Sequence, residues 1–172
     1  MSATCYVMIG LPGLGKSTLV NRMTEMDPDA FVYSTDDFIE QVADDQGLTY
    51  NEVFQSTIEE AAKVNDQRLR VAMDYHQDVI WDQTNLGRGK RQKIIRRMNS
   101  AGYRVEAHCI LPPEPCQIDD QKAWKDRLRG RPGKVIPTKV LSAMIKNFVE
   151  PTVDEGFDKV VNYNMHGAVI DV

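Results

Sequence analysis

Apolar residues fall into short solid runs that alternate with longer stretches of helical spacing. CYVMIG (5–10) is a solid run and predicts a buried strand, followed by a helix over 16–26. AFVYS (30–34) predicts a second strand and DDFIEQVADD (36–45) a short helix. From Tyr50 to Tyr75 the apolar positions Tyr50, Val53, Phe54, Ile58, Ala61, Ala62, Leu69 and Ala72 keep a largely helical period. DVIWD (78–82) reads as a third strand, 88–100 as a helix ended by Ala101-Gly102, and YRVEAHCIL (103–111) as a fourth strand. PPEP (112–115) interrupts the pattern, a helix follows over 119–129, and GRPGKVIP (130–137) is a Gly/Pro connector. The next helix opens at Pro137-Thr138 and is expected to bury Val140, Leu141, Met144, Ile145 and Phe148, with Pro151 beyond its end. KVVNY (159–163) supplies a fifth strand. Strands alternating with helices predict an α/β fold, a parallel sheet with helices on both faces.

No internal repeat, low-complexity tract or linker interrupts the 172 residues, so the chain reads as a single domain, with 112–137 as a polar excursion. A chain of this length buries roughly 68–70% of its unfolded surface and holds a core without staples. No apolar run reaches membrane-spanning length, and MSATCYVMIG lacks the basic start and long apolar stretch of a signal peptide. The three cysteines, Cys5, Cys109 and Cys116, form no CxxC pair, and two lie in strand-like runs. They predict small core thiols in a reducing, cytoplasmic compartment. A metal site built from His108, Cys109 and Cys116 is disfavoured for want of a second ligand pair.

The first candidate chemistry is GLPGLGKST (10–18), which satisfies GxxxxGK[ST] between a predicted strand and a predicted helix. Gly13 and Gly15 let backbone N–H groups turn toward a phosphate, and the helix start adds partial positive charge. Lys16 is expected on the β- and γ-phosphates and Ser17 on Mg²⁺. A nucleoside triphosphate is expected on Gly13, Leu14, Gly15, Lys16, Ser17 and Thr18, and also on Arg131 and Ile136.

STDDFI (34–39) follows the second strand, where open α/β sheets present their ligand crevice. Asp36 there suits accepting or ordering the proton of an attacking hydroxyl, and Ser34, Thr35 and Asp36 are also good helix caps. DQTNL (82–86) follows the third strand. Asp82 suits a water-mediated place in the Mg²⁺ shell, and Thr84 and Asn85 suit the metal shell, a phosphate or the acceptor. KDRLRGRPGK (125–134) sets Arg127, Arg129 and Arg131 beside a Gly/Pro hinge. An arginine closing over the transferring phosphoryl would stabilise its charge, with Arg131 the first choice and Arg127 one helical turn away.

Charge sharpens the picture. The formal net charge is −4, yet residues 1–75 carry 5 basic and 13 acidic side chains while residues 88–146 carry 15 basic and 5 acidic. RGKRQKIIRR (88–97) has six basic residues and no acid. The imbalance suggests an anion-binding face, although each side chain alone fits a solvated helix surface.

GLPGLGKST, STDD, WDQTNL with its basic helix, and WKDRLRGRPGKVIP, taken in order, resemble the kinase domain of 5′-polynucleotide kinases, and FVEPTVDEGFDKVV (148–161) is similar to its closing segment. The resemblance runs from about Cys5 to Tyr163. It implies a P-loop kinase fold with five parallel strands in the order 2-3-1-4-5, a small Arg-rich lid over about 119–137, and ATP- and Mg²⁺-dependent phosphorylation of a 5′-hydroxyl of DNA or RNA. By the same resemblance Lys16 and Ser17 match the ATP-phosphate and Mg²⁺ residues, Asp36 the general base, and Arg131 and Arg127 the lid positions. Asp82 matches the aspartate two before Thr-Asn, whereas some phage enzymes place that acid where this chain has Gln83. The acceptor-binding arginine of the phage enzymes is replaced by Ile39, which shifts acceptor contacts to Arg88 or Arg91. No DxDGT phosphatase motif occurs, so the chain is expected to act as a stand-alone kinase, in a repair role of phage or bacterial type. Other readings are a P-loop kinase of a small acceptor (a nucleotide, a sugar or a nucleotide-sugar, as in zeta-like toxins), a kinase of aminoacylated tRNA, and a slow ATPase switch. Salt dependence of acceptor binding separates a polynucleotide from a small neutral acceptor.

Overall fold

A computed structural model describes residues 2–131 and 134–170. Its strands are β1 (Thr4–Ile9), β2 (Phe31–Tyr33), β3 (Val79–Trp81), β4 (Arg104–Ile110), β5 (Lys159–Tyr163) and β6 (Val169–Ile170). Its helices are α1 (Lys16–Met26), α2 (Thr35–Gln46), α3 (Tyr50–Asp74), α4 (Arg88–Ser100), α5 (Ile118–Arg129) and α6 (Thr138–Asn147), with a 3₁₀ turn at Val153–Glu155. One sheet runs β2-β3-β1-β4-β5-β6. The first five strands are parallel in the expected order, with Cys5 opposite both Val79 and Val105.

The expectation of five parallel strands needs correction. β6 pairs antiparallel with β5, Tyr163 opposite Val169, and makes the sheet mixed and six-stranded. Asn164 to Gly167 form the turn, with the Ala168 carbonyl accepting from the Asn164 N–H at 2.9 Å and Gly167 at φ +81°.

Alternate residues of β1 feed two cores. Cys5, Val7 and Ile9 pack with Leu69, Trp81, Ile94 and Met98 under α3 and α4. Met8 packs with Leu19, Val20, Ile80 and Trp124 under α1 and α5. A strand covered on both faces has no polar side, which is why its sequence is a solid apolar run. α2 and α3 form a hairpin with a core of their own around Ile39, Ala43, Val53 and Ala61. Ile39 is buried in that core and faces no ligand.

The last helix departs from expectation. α6 buries none of its residues, and Val140 and Ile145 are 44% and 47% exposed. Its apolar stripe lies partly along the mouth of a cavity, and only Met144 and Phe148 pack against a core. Cys5 and Cys109 are buried free thiols and Cys116 is exposed. No helix among the described residues is long and apolar enough to cross a membrane.

Candidate active site

The carboxyl ends of β1, β2 and β3 open into one cavity of about 1100 Å³. In this topology the crevice lies at the carboxyl ends of the strands, and the loops and helix starts that follow them carry most of the reactive groups. β1 runs into the loop before α1, where Gly13 (φ +78°) and Gly15 (φ +104°) hold left-handed conformations that L side chains resist. A Cβ on Gly13 would also stand 3.1 Å from Leu128 and 3.3 Å from Trp124 of α5. The loop is pinned at both ends: the Gly10 N–H donates to the Thr84 carbonyl at 3.1 Å, and Trp124 Nε1 donates to the Pro12 carbonyl at 2.8 Å.

α1 starts at Lys16 with no side-chain cap and no acid in its first turn. Its first N–H groups therefore point into the cavity as donors for an anion. Lys16 Nζ donates to the Gly10 carbonyl at 3.0 Å and reaches the Leu11 carbonyl at 3.5 Å. Burial pushes the Lys16 ammonium down in pKa, Arg131 and Lys134 add to that, and Asp82 and Asp36 oppose it.

Two carboxylates face this cation. Asp36, in the first turn of α2, accepts from the Tyr50 hydroxyl at 2.7 Å (Oδ1) and from Lys134 Nζ at 3.0 Å (Oδ2). Burial pushes its pKa up, but the Tyr50 hydrogen bond, Lys134 and Arg131 outweigh it, and the carboxyl lies below its ordinary value. Lys134 also pairs with Glu40 at 2.7 Å and sits 4.3 Å from the centre of the Tyr50 ring. Asp82, at the end of β3, is raised by burial and by Asp36 and Asp37, with Lys16 pulling the other way.

Most of the predicted residues line the cavity: Gly13 to Thr18, Asp36, Asp82, Thr84, Arg127, Arg131 and Ile136. Arg127 also donates to the Met165 carbonyl at 3.1 Å, tying α5 to the β5–β6 turn. Pro132 and Gly133 of the expected hinge lie outside the described residues.

Two acceptor assignments are overturned. Arg91 is fully buried and does not line the cavity. It grips Glu155 with two bonds of 2.8 and 2.6 Å and donates to the carbonyls of Asn85, Leu86 and Val149. Asn85 is equally buried, held at φ +47°, and gives its Nδ2 to the Met8 carbonyl at 2.8 Å. Both brace the loop that holds Gly10, and neither lines the cavity, although Asn85 Oδ1 is buried without a partner among the described residues. Arg88 is exposed at the start of α4, and Lys90, two residues on, is the basic residue of that helix that lines the cavity.

The residues that sequence reasoning missed are Tyr50, Lys134 and Lys90. Tyr50 read as an apolar helix position, and nothing in the chain announces a contact with Asp36, 14 residues away. Lys134 meets Asp36 across 98 residues.

The model of one protein family, described as an AAA domain (AAA_33), matches residues 6–151. The chain belongs to the AAA_33 family. Among solved structures, this AAA_33 domain is similar to a chain of the PezAT chromosomal toxin–antitoxin system of Streptococcus pneumoniae, with a TM-score of 0.69 at 14% identity over 99% of this chain and 70% of that one. It is also similar to a fungal RNA kinase (TM-score 0.61, 15% identity, 94% of this chain and 38% of that one). A sugar kinase from Janibacter sp. HTCC2649 matches with a TM-score of 0.61 at 15% identity, over 96% and 87% of the two chains. At these identities the likeness establishes the fold alone, one that this chain shares with an RNA kinase and a sugar kinase.

The AAA_33 domain fits ATP and Mg²⁺ by its donors. An uncapped helix start, left-handed glycines and a lysine seated on loop carbonyls suit a triphosphate. The Ser17 hydroxyl and the Asp82 carboxylate, both at the cavity wall, are hard oxygen donors of the kind Mg²⁺ takes alongside phosphate oxygens and water.

Proposed function

We propose that this AAA_33 domain transfers the γ-phosphoryl group of ATP to the 5′-hydroxyl end of DNA or RNA. The observation that carries the reading is a carboxylate, Asp36, in the same cavity as Lys16, with Lys90 of the basic helix α4 in the cavity wall. A switch that merely hydrolyses ATP needs no second, hydrogen-bonded acid opposite the phosphate loop.

The chain's own groups divide the work. N–H groups of the 13–18 loop and Lys16 hold the donor phosphates. Ser17 and Asp82 would hold Mg²⁺, which supplies charge neutralisation on the phosphates when bound. Arg131, in the cavity wall, would meet charge developing on the transferring group. Asp36 takes the proton of the acceptor hydroxyl. Lys90, with exposed Arg88, Lys93 and Arg96 on the same helix, attracts phosphates further along the acceptor.

A second reading has its own observation. Phe54, Ile58, Val140 and Met144 give the acceptor side an apolar wall, and Ile39 is buried where an acceptor arginine was sought. That wall favours a small hydroxyl compound.

The test is transfer from γ-labelled ATP with Mg²⁺ to a panel: 5′-hydroxyl DNA and RNA oligonucleotides, nucleoside 3′-monophosphates, sugars and nucleotide-sugars. Label on the oligonucleotides, lost in Asp36→Asn while ATP binding persists, is the expected result. Label confined to small acceptors selects the second reading, and label only as free phosphate removes both.

A further inference from the structure

The two hydrogen bonds on Asp36 come from groups held very differently. Tyr50, which donates to Oδ1, opens α3, and the turn before it is locked by Glu52, which accepts from the Thr49 N–H and hydroxyl at 2.7 Å each. Its ring lies 5.6 Å from that of Phe54, against the core of the α2–α3 hairpin. Asp36 belongs to the same hairpin, so carboxylate and phenol are parts of one packed unit. Lys134, which donates to Oδ2, comes from a segment outside any helix or strand, 98 residues away along the chain, which is tied to α3 by the Asn51 Nδ2 bond to the Val135 carbonyl at 2.9 Å. It divides its charge between Asp36 and Glu40, whose side chains are about half exposed while its own is 17% exposed.

A carboxylate that removes a proton needs one oxygen aimed at the hydroxyl and the other fixed. We propose that Tyr50 is the positioning residue of Asp36: its hydroxyl fixes Oδ1 and leaves Oδ2 to meet the acceptor hydroxyl, which takes the place of Lys134. The inference rests on the phosphoryl-transfer reading above. In the step, the acceptor oxygen bonds to the γ-phosphorus and the bond from that phosphorus to the β–γ bridging oxygen breaks, its electron pair leaving with ADP. The hydroxyl proton goes to Asp36 Oδ2.

The charged groups around Asp36 come from every side. α2 brings Asp37 and Glu40, α1 Lys16, and the end of β3 Asp82, while the connector after α5 brings Arg131 and Lys134. Against the upward push of burial, the Tyr50 hydrogen bond is the foremost influence that lowers the Asp36 pKa. Burial and Asp36 together push the Tyr50 phenol far up, so it remains a donor throughout the working range. The base acts only when ionised, so activity is lost as pH falls through the Asp36 pKa. Without the phenol hydroxyl that pKa rises, and the acidic limb of kcat moves to higher pH.

Tyr50→Phe keeps the ring and its packing and removes only the donor. The expected result is a kcat lower by about tenfold or more, with KM for ATP and acceptor within about twofold and the acidic limb displaced upward. Titration of carboxyl-labelled aspartate by NMR, independent of turnover, should find Asp36 titrating at higher pH in the variant than in the wild type. An unchanged kcat, a fall in kcat with an unmoved acidic limb, or an unmoved Asp36 titration each overturns the proposal. If the wild type labels no acceptor, the kinase reading fails. The carboxyl titration then still decides whether Tyr50 governs Asp36, and an unmoved value overturns that too.

Discussion

Removing the Arg91 side chain would leave Glu155 buried without its partner, and the Asn85 and Val149 carbonyls without a donor. Breaking a buried pair in this way costs about 3–5 kcal/mol. Arg91→Ala should therefore lower the urea midpoint sharply, whereas a residue that only touched acceptor would raise KM and leave the midpoint alone. The thiols offer a simpler check. Burial pushes the Cys109 thiol up to about 12 and the Cys5 thiol higher still, while Cys116 is exposed. An aromatic disulfide reagent should titrate one thiol in the native protein and all three in denaturant. Rapid modification of more than one in the native state would contradict the packing around β1 and β4. The role of Arg91 was legible in principle. It shares a helical stripe with Ile94, Ile95 and Met98, all buried, and that spacing places its guanidinium inside the fold. A count of basic residues hides such a position because it ignores the helical period.

At the level of elements, boundaries set by local chemistry were readable. α1, α4 and β5 begin and end where glycine signals and apolar period place them, since those cues act within a few residues. β6 was not readable, because two residues carry no period, and their pairing depends on the turn at Gly167. α6 carried a strong apolar stripe, yet the stripe records amphipathicity and not what covers it. The catalytic side of the site split in the same way. The phosphate loop is contiguous and announces itself, whereas Asp36, Tyr50 and Lys134 meet only in three dimensions. The exposed face of α4 belongs to this scale too. Reversing charge at Arg88 and Lys93 together should weaken oligonucleotide binding and flatten its salt dependence while leaving ATP affinity unchanged. Equal binding of oligonucleotide by this variant and the wild type, measured by fluorescence anisotropy, would remove α4 from the acceptor path.

Across the whole molecule the charge is divided rather than balanced. The first 75 residues carry 13 acids against 5 bases, and residues 88–146 reverse the ratio with 15 bases against 5 acids. A single-stranded acceptor engaging that basic part displaces counterions, so the logarithm of its affinity should fall with the logarithm of salt by about 0.7 per phosphate contacted. A flat profile with oligonucleotide would point to the apolar wall as the recognition element. The order of the sheet has a consequence for how the chain is made. β1 is the first strand to be synthesised, yet it lies in the middle, and its partners are residues 79–81 on one side and 104–110 on the other. Until those residues have left the ribosome, Cys5, Val7 and Ile9 have no sheet to join, and both edges of the strand stay open to other chains. The segment that carries the phosphate loop is thus made before its sheet partners and secured only after them, so a growing chain needs protection until residue 110 has emerged.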